Sequence, residues 1–297
     1  MRPKRRRLIA GVIFFAGLAL ANPLAIFAQE DVFYQLNQRV AQAASRGQYV
    51  ESVTLAKQAI ELARKEFGPY HDNVVMMLNT LSSIYASQGK YSMAEKILKR
   101  ALGIRILAVG DEVAAKNYTE IAAEMRSLAK LYMQAKRYVR SEVFLKRAMK
   151  TDELALGGEY PGRLKDLNLL VEIYERRNKT KEAEALYRLL LTDYKKSGAA
   201  DSLPEAVAAN NLARIYIADR RYQDAEALLK RALEINEKNE PSGGAAVSVS
   251  LNNLATVYTD EGKYSEAEPL LERSLSIDEN RFGKESPDLI TGLNNLA

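Results

Sequence analysis

Along residues 251–258, and again along 264–277, apolar residues return every three or four positions, the spacing that lines one face of an α-helix. The polar run Asp260-Glu-Gly-Lys between them reads as a tight turn, so the segment predicts two amphipathic helices folded into a hairpin. Ser265 followed by Glu268 has the spacing of a capping box and sets the expected start of the second helix. Pro269 would then stand at the fourth helical position, where a missing N–H removes no intrahelical bond.

The same pattern recurs along the chain. Tyr49, Tyr91, Tyr138, Thr180, Tyr222 and Tyr264 hold one equivalent position, spaced 42, 47, 42, 42 and 42 residues apart. Six residues before each lies Ala43, Tyr85, Tyr132, Tyr174, Tyr216 or Tyr258. Three after lies Ser52, Ala94, Ser141, Ala183, Ala225 or Ala267, and ten after lies Ala59, Ala101, Ala148, Leu190, Ala232 or Ser274. Large rings therefore alternate with small residues at fixed offsets. A hairpin this small cannot bury its apolar face alone, so neighbouring hairpins have to stack, the small residue of one helix receiving the ring of another. The lock of the tyrosines to repeat positions assigns them to packing rather than to carbohydrate or nucleobase stacking. The one 47-residue step places about five extra residues between Leu102 and Glu124. Val113, Tyr118, Ile121, Met125, Leu128 and Tyr132 can continue one helical face there, so the expected outcome is a longer helix.

The spacing Leu251…Leu254-Ala255…Tyr258…Gly262-x-Tyr264…Ala267…Leu271…Ser274 resembles the tetratricopeptide repeat. The 42-residue length and the block LNNLA-x-x-Y-x-x-x-G-x-Y-x-E-A-E are similar to the long variant of kinesin light chain. Phe67-Gly68-x-x-His71, Leu156-Gly157-x-x-Tyr160-Pro161 and Phe282-Gly283-x-x-Ser286-Pro287 resemble that variant's connection between units. The first unit departs, with Arg39 and Val40 at the usual Leu-Ala positions, and the fourth has Asn178 and Thr180 in place of the turn glycine and tyrosine. The resemblance implies an all-α, right-handed α-solenoid of about six helix-turn-helix units, roughly 33–74, 75–121, 122–163, 164–205, 206–247 and 248–289, with the start of a seventh at 290–297. It also implies a concave groove lined by the first helix of each pair. Placed on that pattern, Asn79, Arg126, Asn168, Asn210 and Asn252 share one groove position, and Ser83, Lys130, Glu172, Arg214 and Thr256 follow one turn on. Asparagine costs up to roughly 0.7 kcal/mol in a helix relative to alanine, so its recurrence needs a reason. It either grips the backbone of an extended ligand with its paired donor and acceptor, or bonds to a neighbouring helix of the fold.

Composition changes this picture at the N-terminus. The net charge of +5 arises from Arg2, Lys4, Arg5, Arg6 and Arg7; without these five, 38 basic residues remain against 38 acidic ones. A balanced remainder offers no electrostatic footprint for nucleic acid. The basic cluster is followed by the uncharged run 8–21, Asn22-Pro23 and the small residue Ala28 before Gln29-Glu30, the three parts of a secretory signal. Residues 1–28 are therefore read as a signal peptide, with an uncleaved anchor formed by 8–28 as the second reading, and 29–297 as the repeat array of a periplasmic or secreted protein. There is no cysteine, so export would depend on a fold stable without disulfides.

Candidate chemistry is sparse. The chain has a single histidine, His71, in a connection between units, beside Asp72. It reads as a loop residue rather than a metal ligand. Gln88-Gly89-Lys90 and Glu261-Gly262-Lys263 lack the flanking glycine and Ser/Thr of a phosphate-binding loop. The expectation is a scaffold, not an enzyme, with no cofactor and no metal, whose partner is another protein or peptide. A sensing region of a larger effector is the alternative. Leu293-Asn-Asn-Leu-Ala297 opens a further unit, which adds self-association through that end as a third reading.

Overall fold

The computed structural model describes residues 23–108, 115–283 and 285–289, together with positions 294 and 296. In these spans the chain forms paired helices: α1 (Pro23–Ser45) with α2 (Tyr49–Phe67), α3 (Asp72–Ser87) with α4 (Tyr91–Ala108), and α5 (Ala115–Gln134) with α6 (Tyr138–Leu156). These are followed by α7 (Arg163–Arg176) with α8 (Thr180–Lys196), α9 (Leu203–Ala218) with α10 (Tyr222–Asn239), and α11 (Ala245–Asp260) with α12 (Tyr264–Phe282). A 3₁₀ turn, Pro287–Leu289, packs against α12. The chain divides into two compact units, Met1–Gly110 and Asp111–Ala297, and in each the helices pack in chain order, hairpin on hairpin. Both are all-α helical repeat arrays of the solenoid type. Of the expected signal segment 1–28, residues 1–22 lie outside the described residues, and 23–28 continue as helix into α1. Among the described residues no helix is long and apolar enough to cross a membrane.

One turn closes all six hairpins. Gly47, Gly89, Lys136, Asn178, Arg220 and Gly262 have φ between 53° and 76°, and the residue after each donates its N–H to the carbonyl of Ala43, Tyr85, Tyr132, Tyr174, Tyr216 or Tyr258 at 2.7–2.9 Å. This is the Schellman ending of a helix, with a left-handed residue at its hinge. The motif explains why a glycine recurs there, and it also holds at Lys136 and Arg220, where the backbone adopts the same conformation against the preference of an L side chain.

The second helices follow this turn directly. The residue before α12 is Lys263, whose carbonyl accepts from Glu266 and Ala267 with no side-chain cap. The capping box expected at Ser265 and Glu268 is therefore not formed, and Ser265 bonds Glu266 instead, at 2.8 Å. Because α12 begins at Tyr264, Pro269 falls inside the helix rather than in its unbonded first turn, and one i→i−4 bond is lost.

The small-residue rows are buried in every hairpin: Ser52, Ala94, Ser141, Ala183, Ala225 and Ala267, then Ala59, Ala101, Ala148, Leu190, Ala232 and Ser274. Where the two helices of a hairpin cross, Ser82 donates to the carbonyl of Ala94 (3.1 Å), and at the same place in the next hairpin Ser141 donates to Ala129 (2.7 Å). The contact is kept and the hydroxyl changes sides. The tyrosines six residues before the repeat mark are buried or half-buried, whereas those at the mark lie nearer the surface and Tyr264 is 68% exposed. α5 runs 20 residues against 14 in α7 and 16 in α9 and α11, and absorbs much of the five-residue excess. Its apolar face is buried at Leu128 and Tyr132, half-buried at Met125 and Ile121, and exposed at Tyr118; Val113 lies outside the described residues. The helices also open the hairpins earlier than the repeat spacing suggests: α3 begins at Asp72, α9 at Leu203 and α11 at Ala245, and α5 begins inside the stretch assigned to the second unit.

Candidate partner-binding surface

The expected groove residues fall into two rows with different fates. In the row one turn on, Ser83, Lys130, Glu172, Arg214 and Thr256 are all exposed. In the asparagine row the side chains are mostly spent on the fold.

In the second unit each member of that row reaches the second helix of its own hairpin, the first helix of the next, or both. Arg126 on α5 donates from Nε to Asp166 Oδ1 (2.8 Å) and from Nη2 to Asp166 Oδ2 (2.7 Å), and it also pairs with Asp152. Both carboxylates are buried, and Tyr160 adds a hydroxyl donated to Asp166 at 2.8 Å. Burial alone would lower the guanidinium's pKa, but the hydrogen bonds and charges of Asp166 and Asp152 outweigh it and the net shift is upward. Burial, then the Asp166 carboxylate, pushes the Tyr160 phenol well above its usual range. Asn168 donates to Tyr194 OH (2.8 Å) and to the carbonyl of Leu164 (2.7 Å). Asn210 is 8% exposed and donates to Ser250 (3.0 Å), which also accepts from Asn236 (2.9 Å). Asn252 donates to Ser274 at 2.6 Å. Of the two explanations for the recurring amide, bonding to a neighbouring helix is the one these contacts display. Arg126 and Asn210 in particular are not free to grip a ligand, because moving either would strand buried polar groups.

Two shallow dents bring expected residues together, and a third holds one of them. In the first unit, one of about 460 Å³ is lined by Asn79 and Ser83 with Asp72 and Arg105, which form an ion pair. In the second unit, one of about 390 Å³ between α5 and α7 includes Lys130 and Glu172, and one of about 380 Å³ between α7 and α9 includes Arg214. The last two are also lined by Lys136 and Lys179, turn residues that the helix-face argument did not reach. Position 256 lies on the same row of α11, and on the adjoining row Val207 and Val249 are 55% and 52% exposed.

A second device, not foreseen, holds successive hairpins. Glu142, Glu184 and Glu226, four residues after the repeat mark, each accept from the turn region of the next hairpin. Glu142 takes Tyr174 and Arg177, Glu184 takes Arg221 (3.0 Å), and Glu226 takes Tyr258 (3.0 Å). The repeated acidic residue was visible in the sequence, but its partners lie 32 to 37 residues away on the next hairpin. Glu226 titrates below the usual carboxylate range because Lys230 hydrogen-bonds it, against the effect of burial. His71 accepts the N–H of Asn73 through Nδ1 (3.1 Å), capping α3, and stacks on Phe67 at 5.0 Å. Its cap role accounts for it without a metal, and among the described residues no three acidic or histidine side chains come together as a metal set.

Models of the tetratricopeptide repeat match residues 35–106, 119–196 and 246–297, and a second such model matches 206–239. The chain belongs to the tetratricopeptide repeat family. Solved structures with this fold include BtubC (BKLC) from P. vanneervenii, 23% identical with a TM-score of 0.61, covering 84% of this chain and 94% of that one. A putative kinesin light chain with nearly identical TPR-like repeats from Podosopora anserina is 20% identical, with a TM-score of 0.55 over 74% of this chain and 99% of its own. A signal transduction ATPase with a tetratricopeptide repeat sensor, from Pyrococcus horikoshii, is 16% identical with a TM-score of 0.63, over 91% of this chain and 39% of its own. No curated protein sequence gives a significant match. At these identities the likeness establishes the fold.

Proposed function

We propose that the protein is a non-catalytic scaffold that holds a partner polypeptide against the exposed face of its first helices, in an extracytoplasmic compartment. The observation that carries this reading is the split between the two rows. The fold bonds Arg126, Asn168, Asn210 and Asn252 to neighbouring helices, and leaves Lys130, Glu172, Arg214 and Thr256 of the second unit in solvent, on four successive first helices. A face kept polar and varied over four repeats is suited to recognition, because side chains that tie no helix to another are free to differ from one repeat to the next. Export rests on the basic cluster and apolar run at the N-terminus, with anchoring by residues 8–28 as its variant.

Affinity capture of the full chain from its native envelope fraction, followed by mass spectrometry, tests the reading. A Lys130→Ser/Glu172→Ser/Arg214→Ser/Thr256→Ala variant should keep its melting temperature and lose the captured protein. Capture unchanged by all four substitutions would move binding off this face.

A further inference from the structure

The outer side of α4 carries an excess of positive charge. The helix holds Lys96, Lys99, Arg100 and Arg105 against a single acid, Glu95. Arg105 pairs with Asp72, and Glu95 is bonded to Lys99 at 2.8 Å. Lys96 and Arg100 are exposed, and among the described residues neither forms an ion pair. In the equivalent helix of the last hairpin the sign reverses: Glu266, Glu268 and Glu272 are exposed on α12, while Arg273 is held by Glu237 at 2.6 Å. The basic face is therefore a property of α4 and not of the repeat.

Apolar side chains stand in the same rows as the cations. Met93, Lys96, Arg100 and Leu107 follow at steps of three, four and seven, which keeps them on one face of the helix, and Lys99 and Ile106 share the row beside it. Met93 is 50% exposed, Ile106 52% and Leu107 67%. The opposite face is held in the core by Ala94, Leu98, Ala101 and Ile104. Cations set among exposed aliphatic side chains fit the surface of an anionic bilayer, where the charges meet the headgroups and the apolar ends sink just beneath them. The compact unit that carries α4 is also the one that carries the N-terminal basic cluster and the uncharged run 8–21. A segment of that unit seated in a bilayer would hold α4 beside the headgroups at high effective concentration.

We propose that the outer face of α4 is a peripheral contact with the surface of a membrane rich in anionic lipid. It takes its nearness to lipid from the anchored variant of the reading above, and it is independent of the face that holds a partner. The contact lays the first unit against the bilayer instead of leaving it to swing on its N-terminal segment.

The chain has no cysteine, so a single introduced thiol can be labelled specifically. The full chain, carrying an NBD fluorophore at Met93→Cys or, as the control, at Glu272→Cys, is mixed with vesicles of phosphatidylcholine alone or with about 30% phosphatidylglycerol. Co-sedimentation reports binding by any part of the chain, and the emission reports the surroundings of the label. The expected result is a blue shift at position 93 in the anionic vesicles only, reversed by about 0.5 M salt, and none at position 272. Each cation near such a surface contributes about fivefold in binding. Lys96→Gln/Arg100→Gln, with unchanged helicity, should therefore lower the preference for anionic vesicles about 25-fold, and Lys96→Glu/Arg100→Glu should abolish the shift. A shift that is absent, equal in both vesicles or indifferent to the charge reversal overturns the proposal. So does an equal shift with soluble poly-glutamate, which would assign the face to an acidic polypeptide. The two readings fail separately. Sedimentation with both vesicles while position 93 stays unshifted removes the α4 contact and leaves the anchor. A shift in anionic vesicles without sedimentation on phosphatidylcholine keeps the contact and removes the anchor.

Discussion

The junction between the α5–α6 hairpin and α7, and the junction between the α9–α10 hairpin and α11, are the same place in the repeat built from different chemistry. In the first, Arg126 spans Asp152, 26 residues on, and Asp166, 40 residues on. In the second, Asn210 meets Ser250 at the same offset of 40, and Ser250 is held by Asn236, which stands 26 residues after Asn210. A position that joins three helices has to be polar and satisfied, and either a charged cluster or a neutral amide–hydroxyl network meets that need. The difference lies in what happens when it fails. Two buried carboxylates without their cation are far more costly than an amide without its hydroxyl.

Breaking the charged junction should therefore have the largest effect. Arg126→Met is expected to cost about 3–5 kcal/mol, because it strands Asp152 and Asp166. Adding Asp152→Leu and Asp166→Leu should recover most of that loss, as read by urea denaturation; no recovery would mean that the helices are joined by something other than this cluster. Asn210→Ala should cost less, about 1–3 kcal/mol, by leaving Ser250 and Asn236 partly unsatisfied. An equal loss at the two junctions would erase the distinction drawn between them.

Alkali sharpens the same contrast. A phenol whose pKa is raised on folding adds stability below its unfolded value, near 10, and loses that contribution as the pH climbs past it. Tyr160 at the charged junction is such a group, as are Tyr187 and Tyr258 elsewhere in the second unit. The melting temperature should fall more steeply above about pH 10 in the parent than in Tyr160→Phe. Asn210→Ala should shift the curve without changing its slope. The smallest effect is expected at the turns. Lys136→Gly and Arg220→Gly relieve left-handed backbone at the hinges of α5–α6 and α9–α10, and each should stabilise by about 1 kcal/mol, whereas Gly89→Ala should destabilise by a similar amount.

The sequence carried the helix pairs, their order and the buried small-residue rows, because a period of 42 residues repeats the packing constraint six times and each repetition restates it. It did not separate the two rows of the first helices. Asn168, Asn210 and Asn252 recur whether the amide faces a ligand or a neighbouring hydroxyl, and the partners that decide it, Tyr194, Ser250 and Ser274, lie 22 to 40 residues away on other helices. The Arg126 cluster was masked for the same reason: Asp152 and Asp166 look like ordinary surface acids until the hairpins stack. The start of α12 was misplaced for a local reason. Ser265 and Glu268 have capping-box spacing, but the Schellman turn through Gly262 had already passed the chain into the helix at Tyr264. Lys136 and Arg220 hid their left-handed turns because the rule that places glycine there is a preference, which the rest of the hairpin overrides.

The most direct test of the central claim, that the exposed row of the first helices meets the partner, is site-specific photocrosslinking in the native cell. A benzophenone side chain would be placed in turn at Glu172, Arg214, Thr256 and, on the second helix of the α5–α6 hairpin, Lys150. The account predicts an adduct with one and the same protein from the three first-helix positions and none from position 150. Adducts formed only from position 150 would contradict it.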